Sequence, residues 1–197
     1  MNTEPHILLH PNIPKPLHGL NPRTIMGQEW WDVERQKAYA STGYTCLACG
    51  VAKKDAKIHK WLEAHEYYKF DYSIGLIEIE KIIPLCHSCH NYIHSGRLMK
   101  MLFKSEIKEK IFWTIVEHGT GVLARANLPD NPFMLSMLRQ VDDAFDSPAW
   151  VKPLLNLPIK FPPGGENVDW ADWRLKFNGK LYPPIHKSYE VWKRFYK

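Results

Sequence analysis

The clearest hydrophobic pattern lies between residues 58 and 85. Residues 58–68 gather Ile58, Trp61, Leu62, Tyr67 and Tyr68, and residues 74–85 alternate through Leu76-Ile77-Glu78-Ile79-Glu80 before Ile82 and Ile83. β-Branched and aromatic side chains at a period near two predict a pair of strands. A turn over 69–73 joins them, and Pro84, which has no N–H to give, ends the pairing of the second. Elsewhere the period is helical. Residues 28–40 read as an amphipathic helix with an imperfect stripe: Trp30, Val33 and Lys37 fall on one side, Trp31, Arg35 and Ala38 on another. A short helix is predicted over 89–98, stopped by Ser95-Gly96. Longer helical patterns cover 104–128, interrupted by Gly119 and Gly121, and 131–145, with Pro132 near its start. Residues 167–177 begin helical and end as strand, and 189–196 form a terminal amphipathic helix.

The first 27 residues are rich in Pro, His and Asn, as in His10-Pro11-Asn12-Ile13-Pro14-Lys15-Pro16, and predict an extended arm lying on the domain. Residues 154–165 are Pro-rich and irregular. The pattern divides the chain into an arm and helix (1–43), a central strand-strand-helix segment (44–100) and a mainly helical, aromatic-rich region (101–197), an α+β organisation without internal repeats.

Composition narrows the class. Of 197 residues 45% are hydrophobic and 13% aromatic, which supports a packed core and argues against global disorder. No apolar run approaches the roughly 20 residues that span a bilayer. The opening Met1-Asn2-Thr3-Glu4-Pro5-His6 lacks the basic-then-apolar order of a secretory signal, so a cytoplasmic, membrane-free protein is expected. The net charge of +5 leans mildly toward a polyanionic partner.

The four cysteines form two pairs, Cys46-Leu47-Ala48-Cys49 and Cys86-His87-Ser88-Cys89. In a reducing compartment such pairs point to metal rather than disulfides, and two of them supply the four tetrahedral ligands of a structural Zn²⁺. The intervening stretch is long enough for a hairpin, whose base the metal would clamp to the following helix. Cys49-Gly50 suits a knuckle in which backbone amides approach the thiolates. His90 and His94, at i and i+4, share a helix face and can reach one divalent cation. Between the pairs lies Leu62-Glu63-Ala64-His65-Glu66.

Taken together, Cys46-x-x-Cys49, Leu62-Glu63-Ala64-His65-Glu66 and Leu85-Cys86-His87-Ser88-Cys89-His90-Asn91-Tyr92-Ile93-His94 resemble the HNH (ββα-metal) endonucleases, in the branch with two zinc-knuckle pairs. The match covers residues 44–98. The resemblance implies a zinc-stabilised ββα-metal finger that hydrolyses DNA phosphodiester bonds by nicking or double-strand cleavage, in phage, mobile-element or defence biology. It makes His90 and His94 ligands of a catalytic divalent cation (Mg²⁺, Mn²⁺, Ni²⁺ or Zn²⁺). Aligned on Leu62-Glu63, His65 is the third ligand and Glu66 the general base. Aligned on the histidine, His65 is the base and Ala64 stands where a ligand belongs. The family's orienting Asn has no counterpart in 69–85, and Asp71 is a substitute candidate. The other reading is a zinc-stabilised nucleic-acid-binding or adaptor module with a degenerate site.

Phosphate contacts are expected from Arg97, which follows Ser95-Gly96 near the site, and from Lys60, with Lys53, Lys54, Lys57, Lys69 and Lys100 as further candidates. The tail, with Trp170, Trp173, Phe177, Tyr182, Trp192, Phe195 and Tyr196, reads as core, with base stacking as the alternative. Duplex DNA is the expected partner, and a protein partner or a homodimer through residues 101–197 is a second expectation.

Overall fold

A computed structural model describes residues 2–195. Eight α-helices and one four-stranded sheet occur among them: α1 Pro22–Met26, α2 Gln28–Ser41, β1 Leu62–Asp71, β2 Leu76–Cys86, α3 His87–Ile93, α4 Ser95–Phe103, α5 Glu109–Arg125, α6 Pro132–Asp142, α7 Lys152–Leu155, β3 Arg174–Phe177, β4 Lys180–Tyr182 and α8 Tyr189–Phe195. The sheet order is β1-β2-β3-β4. The end of the terminal helix predicted at Tyr196 lies outside the described residues. No described helix is long and apolar enough to cross a membrane.

The chain separates into two compact units. One holds Met1–Asn12, Thr42–Glu63 and Pro84–Phe161, the other Ile13–Ser41, Ala64–Ile83 and Pro162–Lys197. The second unit has its core on one face of the sheet. Ile77 and Ile79 of β2, Leu175 and Phe177 of β3, Trp173 and Leu17 bury together. β3 runs parallel to β2 with Ile77 opposite Leu175 and Glu78 opposite Lys176. Side chains alternate faces along a strand, so the isoleucines go inward, and Lys176 Nζ meets Glu78 Oε1 at 2.9 Å on the other face. β4 then pairs antiparallel with β3. β3 lies where residues 167–177 are expected to end as strand, β4 adds a second short strand, and the helical start expected at 167 is turns instead. On α2 the Trp31 and Ala38 side is buried, while Val33 is exposed, which resolves the imperfect stripe.

The first unit is helical around α3. Its core includes Tyr92, Leu98, Phe112, Ile115, Val116, Leu123, Met134 and Leu138. α3 packs on α5, and α4 on α6. A Cβ on Gly119 of α5 would overlap the ring of Tyr92 on α3, so this glycine admits the neighbouring helix and does not interrupt its own. The predicted arm is not extended: Pro5–Leu9 forms a 3₁₀ turn that buries Ile7 and Leu8 completely. Asn131 secures it. Its Oδ1 accepts from the N–H groups of Phe133 and Met134 to cap α6, and its Nδ2 donates to Leu8 O at 2.6 Å.

Both predicted strands exist with shifted ends. β1 starts four residues later than expected and runs through Lys69, Phe70 and Asp71, which leaves the turn to residues 72–75. Pro84 does not terminate β2 but sits buried inside it, and its carbonyl accepts from Leu47 N–H at 2.9 Å. The helix expected over 89–98 is two helices, broken at His94 (φ −84°, ψ 50°), and Ser95-Gly96 open the second instead of stopping the first.

Candidate metal centre

The first cysteine pair sits in a tight turn. Cys46 N–H donates to Val51 O at 2.9 Å and Gly50 N–H to Cys46 O at 2.8 Å, with Gly50 at φ +75°, a conformation that favours glycine. Thr45 and Ala52 bridge across it. Glu4 N–H donates to Leu47 O, which ties the N-terminal turn to this knuckle. The second pair straddles the end of β2 and the first turn of α3. The four sulfurs lie within 4.8 Å of one another, none in a disulfide, and Cys49 Sγ is 3.8 Å from Cys86 Sγ. Four thiolates at about 2.3 Å from a tetrahedral zinc stand about 3.8 Å apart, so this donor set fits a structural zinc ion. Hydrogen bonds from Cys46, Cys86 and Cys89 pull the Cys49 thiol far below its ordinary value, whereas those that Cys86 shares with Cys46 and Cys49, with burial, push Cys86 up.

A fifth residue attends the cluster. His118 of α5 brings Nε2 to 3.4 Å from Cys89 Sγ and 3.8 Å from Cys86 Sγ, within range of an N–H···S hydrogen bond. A cavity of about 100 Å³ adjoins it, with Cys86, His87, Ser88 and His118 in its wall.

The second cluster is histidine. His65, His90 and His94 each offer a ring nitrogen, all within 4.8 Å of one another. Three imidazoles at that spacing suit a divalent cation. The His90 and His94 rings meet edge to face at 4.7 Å even though the helix breaks between them. Burial, with His90 and Arg97 nearby, lowers the His94 pKa to about 3, so its ring is neutral and its lone pair available.

Glu63 organises this end of α3. Its Oε1 accepts from His87 Nδ1 at 2.5 Å, and its Oε2 forms an ion-pair contact with His90 Nδ1 at 2.6 Å. Burial favours the neutral acid, but the hydrogen bonds from His87 and His90 outweigh it and hold the carboxyl well below the usual carboxylate range. With Nδ1 engaged, His90 has Nε2 left to face a cation.

Comparison with protein-family models, with curated proteins and with solved structures finds no match. The site therefore stands on its own residues.

Glu66 follows His65 on β1, half-buried, and lies outside the histidine group. Asp71 is not brought to it. Six residues along β1 from His65, or about 20 Å of strand, its Oδ1 accepts from the backbone N–H and hydroxyl of Ser73 at the exposed hairpin turn. Asn91 is buried on α3 and donates from Nδ2 to His87 O at 2.9 Å. Arg97 is exposed on α4 close enough to His94 to act on its charge. Lys60, Lys53, Lys54, Lys57, Lys69 and Lys100 are all exposed. Sequence reading missed Glu63, His87 and His118 as partners. His118 lies 29 residues beyond Cys89 with no motif around it, whereas Glu63, two residues before His65, shares its face of a regular strand and could have been found on that ground.

Proposed function

We propose that the chain is a metal-dependent endonuclease of the HNH type that hydrolyses DNA phosphodiester bonds. The observation that carries this reading is the carboxylate-paired His90 of α3 beside a neutral His94 at its C-terminal cap, on a helix whose start enters a four-cysteine cluster. Carboxylate-to-imidazole hydrogen bonds of this kind accompany metal-ligating histidines, because they fix the tautomer and raise the basicity of the other nitrogen.

His65, His90 and His94 would hold the cation. Bound there, a divalent ion supplies charge neutralisation at a scissile phosphate and at the departing 3′ oxygen. Glu63 keeps the His90 ring from rotating and its proton on Nδ1. Glu66, or His65 in the other alignment, takes the proton of the attacking water. Arg97 and Lys60 take the flanking phosphates, contacts that position a duplex without reading its sequence.

Ala64, beside the two candidate bases, favours the second reading, a zinc-stabilised module that binds nucleic acid without cutting it. The two separate in one assay. Zinc-loaded protein is incubated with supercoiled plasmid and Mg²⁺, Mn²⁺ or Ni²⁺, alongside His90→Ala and Glu66→Gln. The nuclease reading expects nicked or linear product from the wild type and none from His90→Ala. Intact plasmid with every cation sinks it. Loss of cleavage in Glu66→Gln with cation binding retained assigns Glu66 as the base.

A further inference from the structure

The segment before β1 reads Lys53-Lys54-Asp55-Ala56-Lys57-Ile58-His59-Lys60-Trp61. Its four lysines are exposed, and Trp61 leaves 49% of its surface in solvent. Its ring offers a large flat apolar face to solvent. It is also held still. The His59 ring lies flat against it, centroids 4.0 Å apart and planes 7° from parallel. His59 meets the edge of His87 at 4.4 Å and 80°. His87 donates to Glu63, whose other oxygen holds His90. A run of ring contacts and hydrogen bonds thus joins an exposed tryptophan to the histidine end of α3.

A flat, immobilised indole among lysines has a definite chemical complement, a planar aromatic ring carried on a polyanion. An acidic peptide would satisfy the lysines but leave the indole face open, and an apolar protein surface would strand the lysines. We infer that Trp61, backed by His59, is a stacking platform for an unpaired base of a DNA strand, with Lys57 and Lys60 taking the phosphates beside it. This rests on the proposed action on DNA and adds to it: a strand at the site is opened or single over at least one nucleotide. Trp61 and His59 act through binding, not in the chemical step.

The test is fluorescence anisotropy of a labelled twelve-residue oligothymidylate, and of a duplex of equal length, with full-length zinc-loaded protein and no other divalent cation. Trp61→Ala is expected to bind the single strand about 5- to 100-fold more weakly, the usual loss for one stacked base, while Trp61→Phe stays within about threefold of wild type. Replacing Lys57 and Lys60 by Gln should lower the slope of log affinity against log salt by about 1.4, or about 0.7 per phosphate. Zinc content and circular dichroism check that each variant is folded, and Trp61→Phe keeps the test valid if Trp61→Ala is not. Equal binding by wild type and Trp61→Ala overturns the platform, as does a loss in Trp61→Phe as large as in Trp61→Ala. The plasmid assay separates the two ideas. Nicking with Trp61-independent binding removes the platform and leaves the nuclease, and Trp61-dependent binding without nicking does the reverse. Equal loss of duplex and single-strand binding in Trp61→Ala would overturn the preference for an unpaired base.

Discussion

At one end of α3, Cys86 and Cys89 join Cys46 and Cys49 in a cluster whose four ligand atoms are all sulfur. At the other, Glu63 of β1 pairs with His90, whose ring meets that of His94. The cysteine end is closed: three of its four members are buried, and its ligands saturate a tetrahedral ion. The histidine end offers three nitrogens, so a cation held there would be short of a full shell. Donor chemistry thus divides one seven-residue helix and its cap into a sulfur part and a nitrogen part. On the proposed reading, rigidity would come from the saturated site and reactivity from the unsaturated one.

The largest expected effect falls on the holding end. Cys89→Ser should abolish zinc retention and unfold the first unit, because a structural zinc ion contributes about 10 kcal/mol and an ordinary domain has about 5–15 kcal/mol to lose. Elemental analysis and thermal melting read the outcome, and a variant that melted like the wild type would show that sulfur is not what holds α3. Next comes Gly119→Ala, whose added methyl must displace the Tyr92 ring; about 3 kcal/mol of lost stability is expected in urea unfolding, with zinc still bound. Glu63→Gln acts on the reactive end alone. Affinity for a second cation, by titration calorimetry, should fall about 10- to 100-fold while the zinc count remains one. If zinc is lost as well, the two ends are not separable. The smallest effect is at His118→Ala, which removes one N–H···S contact: about 1 kcal/mol, seen as about fivefold faster zinc transfer to a chelator.

The same contrast explains what could be read beforehand. A C-x-x-C turn is local, since its spacing is dictated by how a few residues wrap one ion, so Cys46, Cys49, Cys86 and Cys89 were legible without any fold. The hairpin was legible from alternation and α6 from Asn131-Pro132. The parallel pairing of β3 with β2 joins residues nearly a hundred positions apart, and no local pattern marks it. Gly119 and Gly121 look like breaks because propensity penalises glycine inside a helix, yet at Gly119 the approach of Tyr92 outweighs that cost. Asp71 has the right chemistry for an orienting role but stands at the far end of β1 from His65. Ile7 and Leu8 lay inside a proline-rich stretch whose composition concealed their complete burial.

Seven residues are too few for a helix to persist in water unaided, since the cost of the first turn is barely recovered over so short a run. α3 is supported by its packing on α5, and zinc bound by Cys86 and Cys89 would hold its N-terminal end. A newly made chain in a zinc-starved cell would lack not only the knuckle but also the spacing of His90 and His94. Zinc supply would then act as a licence on the histidine end, withdrawn when the cell's zinc runs down.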